Sequence, residues 1–247
     1  MIKQMVAVRR RPGQTHQECL DYVEHVHGEL ARNGPPGGVR RYVQSHAFDA
    51  AFGTKADPTY QQAFGRDFVT ELYYDSPQAM KADGESDYVK NVVRPDGRNF
   101  NDFASVILNL LVAEIELPVP RPGPGRVKVL HYLKKAEGVG EDDFHERWAA
   151  AHAAVLAAQP AEAGALRRYV QSRPLPLPGP ATQHFGAGQG QAFEGIASLW
   201  LDDEAALPHF RAYEAGLMQQ AGADAAAPLI DFSQSFFLYT REKVIIG

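Results

Sequence analysis

The sequence is poor in cysteine, with one residue, Cys19, in a chain of 247. That excludes an intrachain disulfide framework and every multi-cysteine metal site, and it is the usage expected of a reducing, cytoplasmic compartment. A basic excess is also missing. Twenty-five Lys and Arg stand against 30 Asp and Glu, a formal net charge of −5, whereas a nucleic-acid binder needs a basic face. Long hydrophobic runs are absent. The longest, Val106–Ala113, is interrupted by Asn109 and is too short to span a bilayer. The opening Met1-Ile2-Lys3-Gln4-Met5 has no apolar signal-peptide core. There is no Gly-x-Ser-x-Gly elbow, P-loop, Rossmann fingerprint or His-x-x-x-His zinc spacing. His25 and His27 fall ~200° apart around a helix and cannot chelate one ion together. The remainder, 45% hydrophobic and 22% charged, is the composition of a soluble globular protein of one or two domains. Its expected partner is a small molecule, not nucleic acid or membrane.

What is present is a repeat. Arg40-Arg41-Tyr42-Val43-Gln44-Ser45 recurs unchanged as Arg167-Arg168-Tyr169-Val170-Gln171-Ser172, a coincidence on the order of one in a thousand at ordinary residue frequencies. The flanks match too. Ile2-Lys3 pairs with Val127-Lys128; Cys19, Val23 and His27 with Phe144, Trp148 and His152; Asp75 with Asp202; Asp102-Phe103 with Asp231-Phe232. Between the copies lies the semi-rigid, proline-rich Pro118–Gly125. The predicted organisation is a first unit over 1–117, a linker over 118–125 and a second unit over 126–247.

Each unit reads as βαββαβ. Residues 2–9 and 127–134 are β-rich. Thr15 with Glu18 forms a capping box for the first helix; Glu141, Asp142 and Asp143 suit the positive end of its counterpart. The repeated RRYVQS is a strand, followed by Val69–Tyr74 or Ile196–Leu201. Ser76-Pro77 opens a second helix, and Asp202 or Asp203 caps its counterpart. Ala104–Leu111 and Ser233–Tyr239 end the two units. The run Val106–Val112 lacks the alternation of a half-wet strand, so both its faces should be covered.

The order of strand, Phe144-x-x-x-Trp148-x-x-x-His152 helix, RRYVQ strand and Ala197–Asp202 strand resembles the EthD-like proteins of the dimeric α+β barrel superfamily. The resemblance spans both units but not the linker or the two long loops, 46–67 and 173–192. It implies an α+β fold in which two ferredoxin-like repeats pack sheet to sheet as an intrachain pseudo-dimeric barrel. The second repeat carries the pattern better, since Cys19 and Val23 stand where the first would have its aromatic pair. Relatives of this kind are lactone isomerases, polyketide-type cyclases and decarboxylases, and proteins of ether or aromatic degradation. Cousins bind haem or act as cofactor-free oxygenases.

The candidate catalytic residues are His27 and His152. At helical spacing each shares an apolar stripe, with Leu20, Val23 and Leu30, or with Phe144, Trp148 and Val155. An imidazole facing the sheet can move a substrate proton near neutrality without a cofactor; the plain alternative is a hydrogen-bonded core histidine. Period-two alternation puts Tyr42 with Gln44, and Tyr169 with Gln171, on one strand face, where phenol and amide could hold an enolate oxygen. Trp148 and Trp200 offer apolar walls for substrate. Glu71, opposite Ser198, is a secondary candidate base if burial raises its pKa; His131 for Val6 and Asn109 for Leu238 are further differences between copies. The loops carry His46, Phe48, Phe52, Tyr60, Phe64, His184 and Phe185 as apolar flaps. Cys19 reads as core, and Gly186–Gly190 has slight phosphate-binding value. The expectation is a cofactor-independent lyase or isomerase acting on an aromatic or polyketide-like molecule, with no metal. The second repeat is the expected site of chemistry. Its rivals are a non-catalytic small-molecule or haem-binding protein and a cofactor-free monooxygenase. The assembly is a monomeric pseudo-dimer or a homodimer.

Overall fold

The computed structural model of the chain describes residues 1–53, 65–103, 108–175 and 193–247. The first half contributes β1 (Ile2–Val8), β2 (Val39–Phe52), β3 (Phe68–Tyr74) and β4 (Leu108–Leu117). The second contributes β5 (Val127–Leu133), β6 (Leu166–Pro174), β7 (Gly195–Leu201) and β8 (Phe236–Ile246). Helices lie between them in chain order. The first half has α1 (His16–Tyr22), α2 (Gly28–Arg32), α3 (Pro77–Glu85) and the short α4 (Arg94–Asp96). The second has α5 (Glu141–Ala158), α6 (Pro160–Ala165) and α7 (Leu207–Ala221). Thr15 caps α1 in the expected capping box, accepting from the Glu18 N–H while Glu18 Oε2 accepts from the Thr15 N–H at 2.7 Å. Ser76 and Pro77 open α3. Among the described residues no helix is long and apolar enough to cross a membrane.

The strands do not form two sheets stacked face to face. They close one antiparallel ring in the order β1-β3-β2-β8-β5-β7-β6-β4, which overturns the expectation of ferredoxin-like sheets packed sheet to sheet. The physical reason is strand length. β2 runs for 14 residues, β8 for 11 and β4 for 10, well beyond the segments read as strands from the sequence. Such overhanging strands would leave rows of unpaired backbone groups at four edges. Instead β2 pairs with β8, from Tyr42–Ile246 to Phe52–Phe236, and β4 pairs with β6, from Val112–Pro174 to Leu117–Tyr169. Exchanging the halves maps one seam onto the other. The repeated segment keeps its detail as well: the register shifts at Val39/Arg41 and at Leu166/Arg168. Beside these irregularities Arg40 pairs with Asp75 and Arg167 with Asp202. The part of the Val106–Val112 run at 106–107 lies outside the described residues, as do Tyr60, Phe64, His184, Phe185 and Gly186–Gly190; Val112 is buried inside the ring.

Alternation sorts every strand into an inner and an outer face. One end of the barrel interior is apolar, filled by Met5, Ala7, Val69, Leu130, Tyr132, Phe193, Ile196, Phe236 and Leu238. The other end is ionic. Glu71, on β3, lies between Lys3 of β1 and Lys128 of β5, at 3.0 and 2.5 Å, and accepts from Ser45 Oγ at 2.7 Å. Lys3 also reaches Glu114 at 2.6 Å, and Lys128 reaches Glu242 at 3.0 Å. Burial alone would push the Glu71 carboxyl up, but the Lys128 and Lys3 ammoniums and their hydrogen bonds hold it well below the usual carboxylate range. Glu71 is therefore a fixed counter-ion, not the raised-pKa base its isolation in one copy suggested. Trp200 belongs to this layer, donating Nε1–H to Glu242 at 2.8 Å beneath the Lys128 and Arg168 cations. Breaking a buried ion pair from one side strands charge without solvent. Glu71→Ala should therefore lower unfolding free energy by about 3–5 kcal/mol. The Lys3→Met, Glu71→Met, Lys128→Met triple variant should recover most of that loss in guanidinium titrations.

Candidate active site

The outer faces of the two halves differ. Behind the second half, Phe144, Trp148, Val155, Phe210, Tyr213 and Leu217 pack solidly on Val129, Tyr169, Leu199 and Phe237. The first half has a much smaller outer core of Val8, Cys19, Leu20, Val23, Phe68 and Phe100. Beside it lies a cavity of about 620 Å³ lined by His27, Tyr42, Thr70, Leu72, Tyr74, Met80, Tyr88, Val93, Arg94 and Ile245, among others. Two features of the helices frame this cavity. A π-helical turn at Val23–His27 joins α1 to α2, and a second at Val89–Val93 runs into α4. Among the described residues the second half has no such turn, and α5 runs unbroken. π-turns are rare and cluster at functional sites, since they re-aim side chains at the cost of regular bonding.

His27 closes the first π-turn. Its Nδ1 meets Asp96 Oδ2 at 2.8 Å. Asp96 is itself clamped, its Oδ1 accepting from the Tyr22 hydroxyl at 2.6 Å and from Asn99 Nδ2 at 2.8 Å. A carboxylate accepting from Nδ1–H fixes the tautomer and leaves the lone pair of Nε2 to the cavity. Burial draws the His27 pKa down while the bond to Asp96 and its charge push it up, for a net lowering. Phe100 lies 4.7 Å from the imidazole, ring centre to ring centre.

Tyr42 and Gln44 share the outer face of β2, as alternation required, and both are buried. Gln44 Nε2 donates to the Val23 carbonyl at 2.8 Å and to the Tyr42 hydroxyl at 2.9 Å. The Val23 carbonyl fixes the amide's orientation, so Gln44 Oε1 is the acceptor that His46 Nε2–H meets at 3.0 Å. Burial pulls His46 down to about 4, and it stays neutral. The Tyr42 oxygen accepts from Gln44 and is also hydrogen-bonded to Thr70, which lines the same cavity. Burial pushes that phenol up to about 12, which keeps it protonated.

The equivalent residues of the second half are placed differently. His152 stacks on Tyr169 at 3.6 Å between ring centres, its Nδ1 bonded to the Tyr213 hydroxyl at 2.9 Å, while Nε2 is buried without a partner. Trp148 packs on Gly195, where an added Cβ would come within 2.5 Å of the indole. Gln171 is fully buried in the same half. His131 is enclosed by Phe210, Phe232 and Phe237. Cys19 is core, its thiol pushed up to about 12 by burial. The side chain of Asn109 lies outside the described residues. Asp96, Tyr22, Asn99 and Arg94 were not singled out from the sequence. Asp96 stands 69 residues from His27, and no spacing rule connects them.

The family model of the EthD domain matches residues 11–104 and 136–233. The chain belongs to the EthD family. It carries the domain twice, in tandem. No curated protein matches the sequence. Solved structures share this EthD chain's fold at low identity. An anthrone oxidase-like protein aligns with a TM-score of 0.59 at 10% identity, covering 100% of this chain and 93% of that one. A monooxygenase candidate from Lactobacillus acidophilus NCFM gives 0.51 at 9%, covering 98% and 94%. A chlorite dismutase candidate, TA0507, gives 0.51 at 13%, with the same coverage. Among the described residues of the EthD chain, no group of three or more His, Cys, Asp or Glu could hold a metal ion.

The buried histidines of the second EthD repeat make stability depend on pH. Burial holds His152 near 4, and burial with Arg211 holds His131 near 3, whereas both titrate near 6.5 when unfolded. Between about pH 6.5 and 4 the unfolded chain binds more protons, so stability should fall as pH drops through that window. Above it, these groups contribute no slope. His131 Nδ1 has no hydrogen-bond partner, so His131→Leu should flatten the slope in denaturant midpoints recorded from pH 7 to 4.5. An unchanged slope would show that His131 is not its source.

Proposed function

We propose that this EthD chain is a cofactor-independent enzyme that removes a proton next to a carbonyl of a hydrophobic, aromatic or polyketide-like molecule. The reading rests on one observation: His27, its Nδ1 held by Asp96, and Tyr42, held by Gln44 and Thr70, line the same cavity. His27 accepts the carbon-bound proton as general base, and Asp96 stabilises the imidazolium that forms. Tyr42, oriented by Gln44, donates a hydrogen bond to the carbonyl oxygen as negative charge develops on it. The enolate can then cyclise, isomerise, or lose water or carbon dioxide. A monooxygenase reading begins from the same carbanion, with dioxygen as the second reactant. The sequence made the stronger case for the second repeat. The cavity and the carboxylate-held histidine favour the first.

Proton exchange tests this without the natural substrate. Under nitrogen in deuterium oxide, the protein should accelerate deuterium entry at C1 of 2-tetralone, followed by proton NMR. His27→Ala should lower that rate by roughly 10²–10⁴-fold, Tyr42→Phe by a smaller factor, and His152→Ala should leave it unchanged. Equal rates with and without His27 would overturn the proposal. Dioxygen uptake in air distinguishes the oxygenase branch.

Haem is a second reading, favoured by the orientation of His27. A histidine with Nδ1 held by a carboxylate and Nε2 open to a cavity is also suited to axial ligation. His27 would then hold the iron, and the group would supply oxidative chemistry. A Soret band in the purified protein that His27→Ala removes would replace the first reading with this one.

A further inference from the structure

We infer that the molecule bound in the first-half cavity carries a carboxylate, and that Arg94 selects it. The inference rests on the cavity being a substrate site. Its first support is where Arg94 stands. The second π-turn ends on Arg94, whose N–H closes it onto the Val89 carbonyl. Arg94 and Asp96 are two residues apart on one short helix, hence ~200° apart around its axis. One therefore serves the cavity lining while the other backs His27, and both are presented by the same turn.

Charge accounting supplies the second support. The cationic side chains of the lining are Arg32 and Arg94. Arg32 is already engaged by Glu29 and by the Ile245 carbonyl. The Arg94 guanidinium donates to the Gly84 carbonyl at 2.7 Å, and among the described residues no carboxylate stands within ion-pair distance of it. Its side chain is exposed and lines the cavity together with Met80, Val89 and Val93, with the other donors of its fork left to solvent. A planar fork matches a carboxylate in two parallel bonds. A single such cation, with Asp83 on the same lining, suits a monoanion and not a phosphate dianion.

The repeat provides an internal control. The offset between copies grows from 127 at Asp75–Asp202 to 129 at Asp102–Asp231, so Arg94 corresponds to the window Ala221-Gly222-Ala223. The second half, whose own surface pocket is lined by Pro160, Gly164, Arg167, Asp202 and His209 among others, has no cation at that position; the first half does.

Two probes of one shape test the inference: 2-naphthoate and its neutral counterpart 2-naphthamide, titrated calorimetrically at low salt into the full-length protein. The wild type should bind the acid about tenfold more tightly than the amide, the difference between a charged and a neutral hydrogen-bonded pair. Arg94→Gln should bring the acid down to the affinity of the amide and leave the amide unchanged. Arg94→Lys should restore part of the preference. Equal binding of both probes to the wild type overturns the inference while leaving the cavity a binding site. A preference for the acid that survives Arg94→Gln also overturns it, assigning the anion to another group. Binding of neither probe overturns the inference and the cavity reading together.

Discussion

The contact on which the rest of the barrel depends is the bridge from Glu71 to two lysines. Lys3 and Lys128 occupy equivalent positions in the two halves, and they meet Glu71 inside the ring from strands on opposite sides of it, β1 and β5. Two buried ammoniums without an acceptor between them would each carry a desolvation cost of several kcal/mol and repel one another. One carboxylate, reached by both, removes the conflict and ties β1, β3 and β5 together. The equivalent position across the ring holds Ser198. A second carboxylate there would restore repulsion of the opposite sign. The repeat is thus symmetric in its backbone and asymmetric where a single ion has to serve two partners.

The same logic of shared architecture with unshared filling separates the outer faces. In the second half an indole at 148, opposite Gly195, and a phenol at 213 occupy the space between helices and strands. In the first half the matching positions are Val23, opposite Phe68, and the region of Gly84. Two large rings are removed on the helix side and one is added on the strand side, and a cavity remains. An apolar void of that size would lose contacts along its whole lining if it served no purpose. Here it is lined instead by a carboxylate-held imidazole, a phenol and a guanidinium, and is flanked by both π-turns.

Much of the fold was legible in the sequence because it is carried by local signals: the capping box at Thr15, Ser76-Pro77, the acidic start of α5, and the alternation that sent Tyr42 and Gln44 to one face. The duplication itself was legible in RRYVQS. Closure of the ring was not. It depends on how far β2, β4 and β8 extend past their expected ends and on which edges then meet, and residue patterning within a strand says nothing about its neighbour. Of the site, His27, Tyr42 and Gln44 were legible because they share a helical stripe or a strand face with the cavity. Asp96, Tyr22 and Asn99 were not, because they join His27 across the chain through a turn whose irregular geometry no heptad or period-two reading anticipates. Trp200 was misplaced for a simpler cause: its face of β7 is the one turned into the ring.

The two histidines show why burial alone does not make a base. Both lose solvent, and in both that loss disfavours the imidazolium. His152 is answered only by the Tyr213 phenol, a neutral group that offers its cation no charge, and it falls to about 4. At neutral pH such a group holds its lone pair but has little thermodynamic drive to take a proton from carbon. His27 is answered by a carboxylate that three donors keep ionised and in place, so the loss from burial is opposed by a charge that grows in value as the surroundings dry out. Closing an apolar substrate over the cavity would strengthen both sides of this balance, the loss of solvent that draws His27 down and the Asp96 charge that opposes it. The basicity of His27 is therefore coupled to occupancy of the cavity, whereas that of His152 is set by packing that leaves nothing to occupy.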